Sequence, residues 1–234
     1  MGLLSGKRFA EKGANVVLTD VNAEALEKAA KEITNTGGNC ISVLTDVRDF
    51  DQITSACKIT MEKFGSIDVL INCAGGASSR IFGVKQEFKD YPIDILDWGI
   101  DVNMKGPLYF TRAVIGQMIS QKSGVLIYLG SITGEDGGGT RGTGTDYCMA
   151  KVSLMYGLTK SMAQYGAPHG IRACCVSPGP VLTRPAMANM KTMLGRAAEP
   201  SEIVDLIEYL VSDKAAFITG VNYFIDGGRN CMKI

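Results

Sequence analysis

Val125-Leu126-Ile127-Tyr128-Leu129-Gly130-Ser131 is followed by Tyr147-Cys148-Met149-Ala150-Lys151, and Tyr147 lies sixteen residues beyond Ser131. The first run is short, apolar without alternation, and stopped by a small polar residue. It reads as a strand covered on both faces. The second lies in a helical stretch predicted over 145–164. A Tyr and a Lys four residues apart on a helix share one face, one turn apart. An ammonium held beside a phenol favours the phenolate and makes it a proton donor and acceptor near neutral pH. A nearby serine hydroxyl can hold a carbonyl or alcohol oxygen at that phenol. These groups suit hydride movement between a carbinol carbon and a cofactor. The spacing recurs in Tyr156-Gly157-Leu158-Thr159-Lys160. The offset of nine residues from one tyrosine to the other turns them to opposite sides of one helix. At most one pair serves a single site.

Working outward, strand and helix signals alternate. Strands are predicted over 16–19, 40–44, 67–71, 125–129, 171–176 and 221–225. Helices are predicted over 3–12, 22–34, 50–64, about 98–121, 145–164 and 201–211, the last started by Pro200-Ser201. This alternation predicts one α/β domain over residues 1–234, a doubly wound parallel sheet flanked by helices. Ligands of such sheets sit at the carboxyl ends of the strands. There the chain places Asp20, Asp46, Asn72-Cys73-Ala74-Gly75-Gly76, Ser131 and Pro178-Gly179-Pro180-Val181. Polar, glycine-rich loops are ordinary at any one of these ends, but not easily at all of them.

Bulk properties narrow the classes. Lys+Arg 24 balance Asp+Glu 24, for a formal charge of +0. That argues against binding nucleic acid or an anionic membrane through charge. No apolar run approaches the roughly 18 residues of a membrane span. Seven cysteines without CxxC, beside one histidine, predict no metal site and reduced thiols of a cytoplasmic protein.

The ordered motifs resemble the short-chain dehydrogenase/reductase (SDR) family from Gly2 to Gly228. They are Asn72-Cys73-Ala74-Gly75, Asp101-Val102-Asn103-Met104-Lys105-Gly106, Gly130-Ser131-Ile132-Thr133-Gly134, Tyr147 to Lys151, Pro178-Gly179-Pro180-Val181-Leu182-Thr183, and Ile218-Thr219-Gly220 leading to Asp226-Gly227-Gly228. The resemblance implies a Rossmann-type fold and hydride transfer between NAD(H) and a secondary alcohol or ketone. It selects Tyr147 over Tyr156 as general acid/base. It implies that Lys151 stabilises the Tyr147 phenolate and holds the nicotinamide ribose, and that Ser131 orients the substrate oxygen. It implies that Asn103 holds a relay water; a structural amide at a helix kink is the other role open to it. Thr133, Thr143 or Thr145 could replace the Ser131 hydroxyl. Asp46 and Val47 would face the adenine, with Asn72, Ala74 and Gly75 along the cofactor. Pro178, Gly179, Val181 and Thr183 would line the nicotinamide. A carboxylate at Asp20 accepts bonds from ribose hydroxyls and repels a 2′-phosphate, favouring NAD over NADP. Asp20 could equally cap the helix that starts near Asn22. The family resemblance also implies a homo-oligomer, with a tetramer expected.

Three departures bear on function. The family's first strand and nearly all of its TGxxxGxG loop lack a counterpart, and Gly2 aligns with the loop's last glycine. The missing strand belongs between those ending at Asp20 and Asn72. Its loss predicts unpaired ladder groups, a core gap and few amides for a pyrophosphate. Met1 is accordingly expected to be an internal methionine of a longer protein. The alternative is a catalytically impaired paralogue acting as a binding or regulatory subunit. An epimerase or dehydratase fits less well, since the chain is short. Second, Gly137-Gly138-Gly139-Thr140-Arg141-Gly142 fits GxGxxG but lies inside the Ser131–Tyr147 connection, where a flexible loop beside the substrate is expected. Third, the segment from Thr183 to Gly195 is short and carries Met187, Met190 and Met193. Methionines at that spacing pack cores or line adaptable apolar pockets.

Overall fold

The computed structural model describes residues 1–137 and 139–232. Helix α1 (Gly2–Glu11) leads to β1 (Asn15–Asp20), α2 (Ala23–Thr34), β2 (Asn39–Leu44), α3 (Phe50–Phe64) and β3 (Val69–Asn72). A helical turn, α4 (Ser78–Ile81), precedes α5 (Ile93–Ile100) and α6 (Gly106–Gln121), and β4 (Gly124–Leu129) follows. A second turn, α7 (Thr133–Asp136), precedes α8 (Thr145–Val152), α9 (Thr159–Gly166) and β5 (Ile171–Pro178). The last elements are α10 (Pro200–Val211) and β6 (Val221–Ile225).

Local chemistry sets these limits. The Asn22 side chain accepts from the Ala25 amide and starts α2. Asp49 does the same for α3, accepting from the amides of Asp51 and Gln52. Gly65 ends α3 with φ 77°, a left-handed conformation that glycine adopts without strain. Glu199 and Glu202 form a reciprocal capping box ahead of α10, with Pro200 in its first turn.

Every strand pair is parallel. β4 shows why its sequence does not alternate. Leu126 and Tyr128 pack with Met118, Leu154 and Met155 on one face. Ile127 and Leu129 pack with Ile203, Ile207 and Leu210 of α10 on the other. Each such fully buried side chain contributes about 1.5–3 kcal/mol.

The sheet is split. β1 pairs only with β2, while the order β3-β4-β5-β6 forms a separate sheet of four strands. A cavity of about 490 Å³ separates β1 from β3, lined by Val17 and Leu18 on one side and Leu70 and Ile71 on the other. The expected gap is therefore present, at the expected place.

Three expectations are corrected. The third strand starts at Val69, not at 67, because Ile67 is fixed instead through its amide and carbonyl to the Gln121 side chain. The helix predicted from about 98 starts at Ile93 and passes through a π-helical segment, Asp101–Lys105. The helix predicted over 145–164 has a similar π segment, Ser153–Leu158, and continues to Gly166. A π turn adds one residue to the turn and rotates everything beyond it, and such turns gather at functional sites.

Candidate active site

The site lies at the carboxyl ends of the strands. Lys151, on the last turn of α8, is buried to 4% exposure. Its Nζ donates to the Leu129 carbonyl at 2.7 Å and stands 5.4 Å from the centre of the Tyr147 ring. A backbone carbonyl at the end of β4 thus fixes the ammonium beside the phenol. Ser131, also buried, stands one residue beyond β4, after Gly130. Its Oγ accepts from the Thr133 amide at 3.2 Å. The hydroxyl hydrogen is left free to donate elsewhere.

Asn103 sits within the first π segment and is fully buried. Its Oδ1 accepts from the Gly76 amide at 2.9 Å, and its Nδ2 donates to the carbonyls of Gly76 and Gly99 at 3.0 and 2.9 Å. The side chain ties the loop after β3 to the α5–α6 helix. A Cβ on Gly75 would lie 2.4 Å from Asn103 Oδ1 and 3.6 Å from Lys151 Nζ. With φ 142° as well, position 75 accepts only glycine without displacing the Asn103 side chain. Asn103, Gly75 and Lys151 therefore converge, although they come from three separate elements.

The two Tyr/Lys pairs differ in surroundings. Tyr156 is 42% exposed and donates its hydroxyl to the Glu135 carboxylate. That carboxylate disfavours a second negative charge and pushes the Tyr156 phenol up to about 12. Tyr156 is held protonated, the reverse of what acid/base work at neutral pH requires.

On the adenosine side, Asp20 ends β1, is exposed, and accepts from the Asn22 amide at 2.9 Å. The α2 cap is Asn22, so Asp20 supports that turn rather than capping the helix itself. Asp46 pairs with the Arg48 guanidinium through Nε at 3.0 Å, which holds its carboxyl below the usual range. Val47 is buried against Gly106. Asn72 is buried, and its Nδ2 has no partner. Ala74 and Gly75 follow it, exposed. Gly2 opens α1 against Cys73, with no side chain capping the helix start.

On the opposite side, the Pro178 carbonyl accepts from the Ile132 amide at 2.9 Å, joining the β5 end to the Ser131 loop. Gly179 packs on the Asp226 backbone, where a Cβ would come within 2.7 Å. Val181 bridges to Ala198 and is buried, while Thr183 is exposed. Arg196 and Glu202 form a paired contact at 2.6 and 2.7 Å that holds the return of this loop to α10. Of the three methionines here, Met187 and Met190 are half-buried and Met193 is 65% exposed, so they form no closed core. Gly137, Thr140 and Arg141 of the glycine-rich 137–142 stretch lie in turns, and Gly138 lies outside the described residues.

One buried network has no counterpart in the sequence reading. Asp146, next to Tyr147, is 2% exposed, and its Oδ2 accepts from Ser78 Oγ at 2.6 Å. Ser78 Oγ in turn lies 3.0 Å from the Tyr91 hydroxyl. The network joins the start of α8 to the turn after the Gly75-Gly76 loop. Only the adjacency of Asp146 to Tyr147 could have hinted at it.

The family model described as Enoyl-(Acyl carrier protein) reductase matches residues 1–230. Oxidoreductase UcpA of Escherichia coli (strain K12) is 35% identical over 242 residues, covering 95% of this chain and 87% of that protein. A short-chain dehydrogenase/reductase of Serratia marcescens superposes with a TM-score of 0.85 at 28% identity, over 98% of this chain and 93% of that one. NAD+-bound xylitol dehydrogenase superposes with a TM-score of 0.87 at 27% identity, over 97% and 94%. The fold is a Rossmann-like parallel sheet flanked by helices, and its solved neighbours are SDR proteins. The chain belongs to the short-chain dehydrogenase/reductase family of oxidoreductases.

Proposed function

We propose that residues 1–234 act as one catalytic unit that moves a hydride between NAD(H) and a secondary alcohol or ketone, using Ser131, Tyr147 and Lys151. The observation that carries this reading is the buried Lys151 ammonium, fixed by the Leu129 carbonyl, 5.4 Å from the Tyr147 ring. The bound dinucleotide supplies the hydride donor or acceptor. Tyr147 gives its proton to the substrate oxygen during reduction and takes it back during oxidation. Lys151 stabilises the phenolate left between these events. Ser131 already accepts from the Thr133 amide, so its free hydrogen donates to the substrate oxygen and holds it at Tyr147. Asn103 keeps the Gly75-Gly76 loop in place and retains an acceptor lone pair for a relay water beside Lys151.

The residues present fit a dinucleotide at its two ends. Asp20 would take the adenosine ribose, with Asp46 and Val47 beside the adenine. The unpaired Asn72 amide supplies a buried donor along the path, with Ala74 and Gly75 exposed beside it. Tyr147 and Lys151 would hold the nicotinamide ribose, against Pro178, Gly179, Val181 and Thr183. The start of α1 at Gly2 offers the remaining amides to the phosphates.

Asp20 sets the preference for NAD over NADP. Asp20→Ala is expected to narrow the ratio of kcat/KM for NADH over NADPH by about tenfold or more, a change of about 1.4 kcal/mol. A parent protein that already uses NADPH faster than NADH overturns the Asp20 argument.

We assign the protein to the cytoplasm, on its seven free thiols, and to a homotetramer. Tyr156, Tyr165, Leu108 and Met149 leave apolar surface exposed on the long helices, as an assembly face would. Light scattering at micromolar concentration should give four times the mass of one chain; a monomer contradicts the assignment. Among the described residues no helix is long and apolar enough to cross a membrane.

A further inference from the structure

Asp146 joins three segments that carry the site, yet the chemistry proposed above does not use it. It precedes Tyr147 in the first turn of α8. Its Oδ2 accepts from Ser78 Oγ at 2.6 Å, and Ser78 stands two residues past Gly76. On another side it lies against Gly99 of α5, where a Cβ would stand only 1.7 Å from Oδ2. The Gly99 carbonyl accepts from Asn103 Nδ2 at 2.9 Å, and Asn103 Oδ1 accepts from the Gly76 amide. These contacts close a ring through Asp146, Ser78, Gly76, Asn103 and Gly99. Tyr147 is attached to that ring by one peptide bond. The ring is polar and buried, and it is not fully satisfied. The single Ser78 hydrogen goes to Asp146, so Tyr91 donates to Ser78 across 3.0 Å. Asp146 Oδ1 is buried with no partner among the described residues. An unpaired buried carboxylate oxygen costs stability. Packing alone would be served better by an apolar side chain of this size.

We propose that Asp146 is a positioning residue: through Ser78 and Gly99 it fixes the start of α8, and with it Tyr147, against the Gly75-Gly76 loop and Asn103. Tyr147 is aimed by the backbone that carries it, so a shift of the α8 start is a shift of the phenol. A displacement of about 1 Å at a reacting group can cost about 10²-fold in rate. The Ser78 bond is the adjustable part of the ring, because it alone ties α8 to the turn after Gly76 through two side chains. Gly99 supplies the space that lets Asp146 reach it. The assignment rests on Tyr147 as the proton donor of the hydride transfer. The ring of contacts itself is read without nucleotide.

The test compares Asp146→Ala, Ser78→Ala, Asp146→Asn and Tyr91→Phe in the 234-residue protein. The first two break the Ser78–Asp146 bond. Asp146→Asn keeps an oxygen that accepts from Ser78. Tyr91→Phe removes a buried hydroxyl of the same network and leaves that bond in place. Amide hydrogen exchange at Gly76, without nucleotide, should quicken by about tenfold or more in the first two and change little in the others. For ketone reduction, kcat should fall by about 10-fold to 10²-fold in the first two, with KM for NADH within about twofold of the parent. It should stay within about threefold of the parent in Asp146→Asn and Tyr91→Phe. The double variant Asp146→Ala/Ser78→Ala should be no slower than the slower single one, since both break one bond. Should Asp146→Ala fail to fold, Ser78→Ala carries the same test. Unchanged Gly76 exchange in the bond-breaking variants overturns the proposal. So does a loss of kcat that follows Tm across all four variants, which is the mark of a merely structural network. Equal loss in Asp146→Asn and Asp146→Ala overturns it as well. A parent that transfers no hydride contradicts the redox reading alone, and Gly76 exchange then decides whether Asp146 holds the ring.

Discussion

Tyr147→Phe should abolish turnover, lowering kcat by about 10²-fold or more, while Tyr156→Phe leaves most of it. The two substitutions remove the same atom from neighbouring stretches of one helical run, so each controls for the other. The Tyr147 ring stands 5.4 Å from a buried ammonium fixed at the strand ends. Tyr156 stands in the second π segment, exposed, with its proton held by Glu135. Its Lys160 lies 5.9 Å from the ring, a spacing close to that of the first pair. Spacing therefore does not separate the pairs, and burial and the neighbouring carboxylate do. Circular dichroism and Tm should stay near parental values for both variants. Equal loss of kcat from both would show that the surroundings of the two pairs decide nothing.

The second large effect is on cofactor affinity. NADH should bind the 234-residue chain more weakly, by two or more powers of ten, than the same chain carrying a short strand and a TGxxxGxG turn joined ahead of Met1. The reason lies in the phosphates. Asp20 stands at one end of the site, and Gly75, Tyr147 and Lys151 at the other. Between them, α1 begins at Gly2 with only its own first amides to offer. Charge-assisted hydrogen bonds are worth about 1.5–3 kcal/mol each, and each 1.4 kcal/mol is tenfold in affinity. Calorimetric titration of both proteins reads the difference. Micromolar or tighter binding by the 234-residue chain would mean that another segment holds the phosphates, and the glycines around 137–142 would be examined first.

Much of this was legible in the chain. The 50–64 helix and the 221–225 strand have the predicted boundaries, because Asp49 and Gly65 cap the helix and Asp226-Gly227-Gly228 stops the strand locally. The split sheet was legible as well, as a missing apolar run and glycine turn. What escaped depends on contacts far apart in sequence. A π turn shifts helical phase by one residue and leaves the apolar pattern almost unchanged, so neither π segment announced itself. The Asp146–Ser78–Tyr91 network unites three positions that no periodicity relates. The Glu135 partner of Tyr156 lies 21 residues away, across the loop that follows Ser131. The dual bonding of Asn103 to Gly76 and Gly99 explains why a polar side chain stands fully buried in a helix. The sequence alone admits both a relay and a kink for it.

Hydride transfer itself is the claim on which the rest stands. It is tested most directly with a panel of secondary alcohols deuterated at the carbinol carbon, incubated with millimolar NAD+. Mass spectrometry then follows the nucleotide. The account predicts NADH heavier by one deuterium with the parent protein, for at least one alcohol, and none with Tyr147→Phe. Nucleotide that binds to the parent protein but gains no deuterium from any alcohol, or gains it equally with Tyr147→Phe, would contradict it.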